Sequence, residues 1–269
     1  MDRATLLGLG LGFGGILVGN MIEGGRIAQI SQPTAAMIVG LGTIGATMIQ
    51  FPLATFVRAC KSIKTVVQEP PNKAEELIEE LVKYAAVARK DGILALEPLA
   101  AKASDAFLAR ALGMAVDGAD SAAMRESMEA SIAHLEEEGE DVAKVFEAAG
   151  GYAPTIGIIG AVLGLIQVMS NLSDIAKVGE GIAVAFVATI YGVALANICC
   201  LPMAGKLKIR SREAVAHKLL MLEGALAIQQ GMNPKLVRER LQAAAPHEDK
   251  KKKGDSAQSA AAQGAGAAA

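Results

Sequence analysis

Aromatic residues make up only 3% of this 269-residue chain, and tryptophan is absent. Any core must therefore be built from aliphatic and small side chains. The three cysteines, Cys60, Cys199 and Cys200, sit inside or beside apolar runs and form no disulfide framework. That excludes a small secreted scaffold. Charge is missing over long stretches: Ala4–Ile22, Ile27–Val57, Ala148–Ser173 and Gly181–Gly205 contain no Asp, Glu, Lys or Arg. About 20 apolar residues cross a hydrocarbon layer roughly 30 Å thick, so each stretch can span a membrane, which argues against a water-soluble globule.

The signatures of chemistry are missing too. There is no G-x-x-x-x-G-K phosphate loop, no segment with strand periodicity and no internal repeat. His134, His217 and His247 are far apart, and no nucleophile has a base at a plausible spacing. No enzyme, metal or cofactor is expected. Ionisable side chains inside spans usually mark ion relays, and here the spans carry none. The chain cannot by itself pass a proton along a titrating side chain.

What is present is an alternation of blocks. Residues 1–57 hold Asp2, Arg3, Glu23 and Arg26, and 151–205 hold only Asp174, Lys177 and Glu180. Between them, 58–150 carries 11 Lys/Arg against 18 Asp/Glu, whereas 206–269 carries 12 against 6. The net charge of −2 hides this partition and suggests no nucleic-acid partner. Lys and Arg gather after the second span (Arg58, Lys61, Lys64) and after the fourth (Lys206, Lys208, Arg210, Arg212). Cations flanking spans favour the cytoplasm, so both termini and the 58–150 block are assigned there. The first apolar run is longer than a signal-peptide core and has no A-x-A-like site after it, so it is read as a retained span.

The fold expected is all-α: an integral membrane protein with four transmembrane helices and a helical cytoplasmic domain. Its parts are 1–57 (first two spans), 58–150 (cytoplasmic domain), 151–205 (third and fourth spans), 206–245 (C-terminal cytoplasmic helices) and 246–269 (a disordered tail too poor in apolar residues to order). Leu77, Leu81, Tyr84, Ala85 and Ala88 recur at helical spacing over Lys73–Lys90, after a Pro70-Pro71-Asn72 break. A shorter apolar helix is expected over Ile93–Leu112 and a second long one over Asp120–Glu147; after the fourth span Arg212–Gln230 continues helically, stopped by Gly231. Asn233-Pro234 opens a last helix to about Leu241. The Gly8–Gly25 run reads as close helix packing in lipid. Polar residues within the spans include Thr43, Thr47, Gln50, Thr155, Thr189, Tyr191 and Asn197. Pro154-Thr155 lies near the start of the third span, and Pro202 closes the fourth.

Several motifs resemble the MotA family of flagellar stator subunits. Gly14–Gly19, Glu23-Gly24-Gly25 and Ile38–Ala46 are similar to its paired first spans. Arg89–Glu97 (RKDGILALE) resembles its cytoplasmic motif, and Ala153–Ile166 resembles its third span. Ala188–Gly192 is similar to its fourth span, and Glu223 through Pro234 to its C-terminal helix pair. The resemblance covers roughly residues 5–245.

It implies a stator subunit that forms an ion channel with MotB and converts ion flow into rotor torque. It also implies a homopentamer around two copies of MotB, whose single span carries the ion-binding Asp, in the lipid of the bacterial inner membrane. Thr155 and Thr189 match hydroxyls lining the ion path, and Pro154 and Pro202 match two functional prolines. Arg89, Lys90 and Glu97 match charged positions that meet the rotor switch protein FliG. Acids that some members place after the Glu are replaced by Pro98, Leu99 and Ala100. Sodium-type members tend to show two consecutive threonines in the fourth span. The Ala188-Thr189 pair offers one oxygen fewer for a hard cation, so protons are expected. The nearest alternative is an ExbB- or TolQ-like energiser of outer-membrane transport, which usually has three spans and lacks the rotor motif.

Overall fold

The computed structural model describes residues 2–67 and 74–245. The tail expected from 246, the Pro70-Pro71-Asn72 break and Lys73 lie outside the described residues. Among these residues there is no strand, and four helices are long and apolar enough to cross a membrane. The described chain divides into two units. One comprises 2–67 and 135–212, the other 74–134 and 213–245.

In the first unit, α1 (Arg3–Ile22) is capped by Asp2, whose carboxylate accepts from the Ala4 and Thr5 N–H groups. A short α2 (Ile27–Ile30) leads into α3 (Pro33–Gln50), with proline in its first turn, where no N–H is needed. Pro52 then splits the long second apolar run. α4 (Leu53–Val67) begins beyond it and buries Ala59 and Val66 against Val142, Ala143, Val145, Phe146, Ala204 and Leu207. The buried stripe of α3, Ala35, Val39, Thr43 and Thr47, has helical spacing, and Ala35 and Val39 pack with Val187 and Ala188.

One expected helix boundary disappears. The helix expected at Asp120–Glu147 and the third span are one helix, α8 (Ser121–Ser170). The fourth span and the helix after it form a continuous helical run: α9 (Ile175–Ala194), a π-helical segment (Leu195–Cys200) and α10 (Leu201–Gln229). Hydropathy changes along these helices, but the backbone stays helical through Gly150, Gly151 and Pro154 in α8 and through Pro202 in α10. Gly139 does not end α8. A Cβ there would collide with the Ser211 hydroxyl, so glycine lets α10 approach.

The second unit holds the other core. α5 (Ala74–Asp91) buries Leu77, Ile78, Leu81, Tyr84 and Ala85 on one face. The apolar stretch expected as one helix over Ile93–Leu112 is instead a 3-10 turn (Ile93–Leu96), a short α6 (Glu97–Ala100) and α7 (Ala106–Val116). Pro98 sits in the first turn of α6, and Asp105 caps α7. Met124, Met128 and Ile132 of α8 complete this core with Leu220, Leu222, Leu226 and Ile228 of α10 and Val237 and Leu241 of α11 (Pro234–Ala244). Gly231, at φ +67°, ends α10 as expected, and the Asn233 side chain accepts from the Lys235 N–H.

Candidate functional site

The residues singled out from sequence fall into two groups, one in each unit. The first is built on the antiparallel pair α8 and α9. Gly157 faces Ala188 and Gly192 so closely that an added Cβ would lie 2.8 Å from the Ala188 carbonyl oxygen and 3.4 Å from the Thr189 Cα. A Cβ on Gly164 would meet the Gly181 carbonyl at 2.7 Å, and one on Gly192 the Ala153 carbonyl at 2.5 Å. Without a hydrophobic driving force between helices in lipid, such small-residue contact is what lets them pack. On this pair the glycines bring backbone against backbone. The run in α1 is the opposite: Gly8, Gly10, Gly14, Gly15 and Gly19 meet nothing within 4 Å, and only Gly12 touches Ile198.

Thr155 and Thr189 flank that seam. The Thr155 hydroxyl is exposed and donates to the Tyr152 carbonyl at 2.8 Å. Thr189 is half-buried and donates to the Ala185 carbonyl at 3.2 Å. Both hydroxyls therefore bond within their own helices, which leaves the oxygen lone pairs as acceptors. Pro154 lies inside α8 without an N–H, so the Gly150 carbonyl loses its usual donor. Gly150 in turn packs on Leu201, the neighbour of Pro202. The two prolines thus mark one end of the helix pair. Just before Pro202 the helix widens to π geometry: the Leu201 N–H reaches the Ala196 carbonyl five residues back, and the Asn197 amide donates to the Val193 carbonyl at 3.0 Å.

Three polar arrangements in this unit are not foreshadowed by any sequence motif. The Tyr191 hydroxyl bonds the backbone of Ile30 and Gln32. The Tyr152 hydroxyl donates to Gln50 at 2.8 Å. Lys206 pairs with the Asp2 carboxylate and donates to Thr5, while Arg210 lies 3.5 Å from the same carboxylate. Each joins residues far apart in the chain, so no local pattern announces it. Thr43 is buried at 3% exposure, and its hydroxyl has no hydrogen-bond partner among the described residues.

The second group, Arg89, Lys90 and Glu97, lies at the turn between α5 and α6. All three side chains are exposed, and none forms an ion pair among the described residues. Gly92 makes the turn with φ +89°, a conformation that suits a residue lacking Cβ. The scaffold beneath is firmly bonded. Glu80 accepts from the Tyr84 hydroxyl at 2.7 Å and the Ser104 N–H at 3.0 Å. Partial burial pushes its carboxyl up, but those bonds and the Lys83 charge outweigh it and leave the pKa below the ordinary value. Burial and the Glu80 carboxylate raise the Tyr84 phenol. Glu223 accepts from Arg125 at 2.8 Å and Arg240 at 2.6 Å, and Arg238 pairs with Glu79. Lys218 bonds both Asp105 oxygens, at 2.7 and 2.8 Å, and lies over the Phe107 ring. Among the described residues no group of three His, Cys, Asp or Glu could hold a metal.

A long-helix membrane protein with a glycine-sealed helix pair and a separate charged turn defines a class, and comparison with known proteins gives it a family. Residues 99–219 match the MotA/TolQ/ExbB proton channel family, and residues 6–92 match the motility protein A N-terminal family. Motility protein A of Bacillus subtilis is 34% identical over 253 residues, 94% of each chain. Motility protein A of Helicobacter pylori is 37% identical over 252 residues, 93% of this chain and 98% of that one. A solved C. jejuni MotAB structure superposes with a TM-score of 0.87 at 31% identity, covering 92% of this chain and 97% of that one. The chain belongs to the MotA/TolQ/ExbB proton channel family. Within it, these full-length relatives are motility proteins, and the role is that of a stator subunit of the bacterial flagellar motor.

Proposed function

We propose that this subunit assembles with further copies of itself, five in all, around two copies of MotB in the bacterial inner membrane, with both termini in the cytoplasm. MotB supplies the ion-binding carboxylate, Thr155 and Thr189 line the path beside it, and Pro154 and Pro202 let the helices repack as that carboxylate changes charge. Arg89, Lys90 and Glu97 meet the switch protein FliG. The observation that carries this reading is the lack of any Asp, Glu, Lys or Arg within the four apolar runs of a chain that belongs to a proton channel family. An ion conductor without its own titrating group needs a partner that has one. The related C. jejuni structure is of MotAB, a pairing that supplies such a partner under this reading.

Protons are the proposed ion. A dehydrated sodium ion requires several oxygens, and only Thr189 of the Ala188-Thr189 pair brings a side-chain oxygen. Ala188 is fully buried in apolar packing with Ala35, Val39 and Val187. The test is swimming in a stator-deleted strain carrying this chain and MotB, measured across sodium concentrations at fixed pH. Sodium-independent swimming is expected, and strict sodium dependence would overturn the ion assignment.

A further inference from the structure

The turn that carries Arg89, Lys90 and Glu97 also carries an unexplained apolar side chain. Leu94 is 70% exposed. Among the described residues of its unit the other exposed large hydrophobics are Leu219 at 42% and Leu236 at 52%. A single exposed leucine is ordinary, but the geometry here is specific. In a 3-10 turn, side chains three apart share a face. Leu96 is fully buried and Ile93 packs on the same core, so residues 93 and 96 form the inner face of the turn. The next face therefore holds residues 94 and 97. Leu94 and Glu97 are both exposed, and Arg89 and Lys90 precede them at the exposed end of α5. The turn thus presents two cations, one aliphatic side chain and two carboxylates, Asp91 and Glu97, without an ion pair among the described residues.

We infer that Leu94 is an apolar anchor of the rotor-docking face. Its occupant is a protein surface on the rotor with an apolar side chain flanked by a carboxylate toward Arg89 and Lys90 and a cation toward Glu97. This inference rests on the rotor-contact reading of those three charges. Exposed ion pairs contribute little by themselves and are screened within about 8 Å at physiological salt. They guide encounter and register rather than holding the contact. A transient contact that transmits force also needs area that sheds water on docking, and Leu94 is the aliphatic side chain placed to supply it. The core does not need Leu94 there, because Ile93 and Leu96 already fill the inner face. A lipid occupant is disfavoured by the exposed acids beside it, Asp91 and Glu97.

The test compares Leu94→Gln, Leu94→Met and the double variant Arg89→Ala with Glu97→Ala, each as a fluorescent fusion in motile cells with MotB. Recruited units are counted and torque is read per unit from a tethered bead. The expected result is a several-fold loss of recruitment or of torque per unit for Leu94→Gln, with Leu94→Met near the parent. Full torque in the double charge variant would remove the rotor-contact reading itself. A weakened double variant with parental behaviour of Leu94→Gln would overturn this inference alone. If Leu94→Gln fails to accumulate, Leu94→Cys in a Cys60→Ser, Cys199→Ala, Cys200→Ala background gives a second measure. Maleimide labelling of Cys at this position should slow several-fold when FliG is present, and equal rates with and without it would refute the anchor.

Discussion

The Tyr191 hydroxyl donates to the Ile30 carbonyl over 2.6 Å and accepts from the Gln32 N–H at 3.3 Å. The backbone between α2 and α3 is non-helical, so its polar groups need partners wherever water is scarce. One phenol on α9 satisfies two of them, and it stands two residues from Thr189. Tyr191→Phe keeps the ring and removes both bonds. It should cost about 1 kcal/mol, read as a lower unfolding midpoint by circular dichroism in detergent. An unchanged midpoint would show that the clasp contributes nothing.

Gly157→Ala tests the α8–α9 seam. The new methyl would lie 2.8 Å from a backbone carbonyl, which can yield only if the helices separate. Overpacking of this kind costs about 1–3 kcal/mol. Gly151, with open space around it, is the control. Gly151→Ala should be neutral or slightly stabilising through helix propensity. Reduced thermal stability and swimming are expected for Gly157→Ala only, and equal behaviour of the two variants would refute a tight seam.

Ala188→Thr addresses ion choice. Ala188 is 0% exposed, and its Cβ lies 2.8 Å from where a Cβ on Gly160 would stand. The added hydroxyl enters apolar packing, so motility should fall at every sodium concentration without becoming sodium-dependent. Swimming speed along a sodium series reads the outcome directly, and a gain of sodium dependence would contradict it.

Acid should loosen the second unit. Partial burial raises the Glu223 carboxyl, but the hydrogen bonds and charges of Arg125 and Arg240 outweigh it, and its pKa lies below the ordinary 4.5. Asp105 is likewise depressed from 3.8: burial opposes ionisation, and the Lys218 bond and the Phe107 N–H outweigh it. A depressed folded-state pKa contributes stability above the unfolded value, and this is lost as pH falls through the folded one. The unfolding midpoint should therefore hold above about pH 5 and drop below pH 4.5 and then 3.8. Glu223→Gln should flatten the upper part of that drop. A midpoint equally steep in parent and variant would rule out Glu223 as the source.

The spans were legible because lipid forbids charge, and that exclusion is written residue by residue. The α5 stripe was legible for a similar reason: Leu77, Leu81, Tyr84 and Ala85 do bury as their spacing requires. What escaped has two physical origins. Helix continuity across Glu147 was hidden because hydropathy marks a change of solvent rather than of backbone, and α8 stays helical through Gly150, Gly151 and Pro154. The Tyr191 clasp and the Glu223 pairs join residues from about 15 to more than 160 positions apart, and neither leaves a local pattern. In α1 the glycines meet little within the chain, and the close approach inside the subunit occurs at Gly157, Gly164 and Gly192.

The seam between α8 and α9 also has an electrical meaning. A water file needs cavities roughly the size of a probe sphere, lined by polar partners. Where a single methyl would already collide with backbone, no such file fits. At these contacts the helix pair leaves no room for a water file within the subunit. Each elementary charge crossing a potential of 100 mV carries about 2.3 kcal/mol, and a charge that leaks through a wall turns nothing. By closing that route within the subunit, the glycines reserve the membrane voltage for the pathway coupled to rotation.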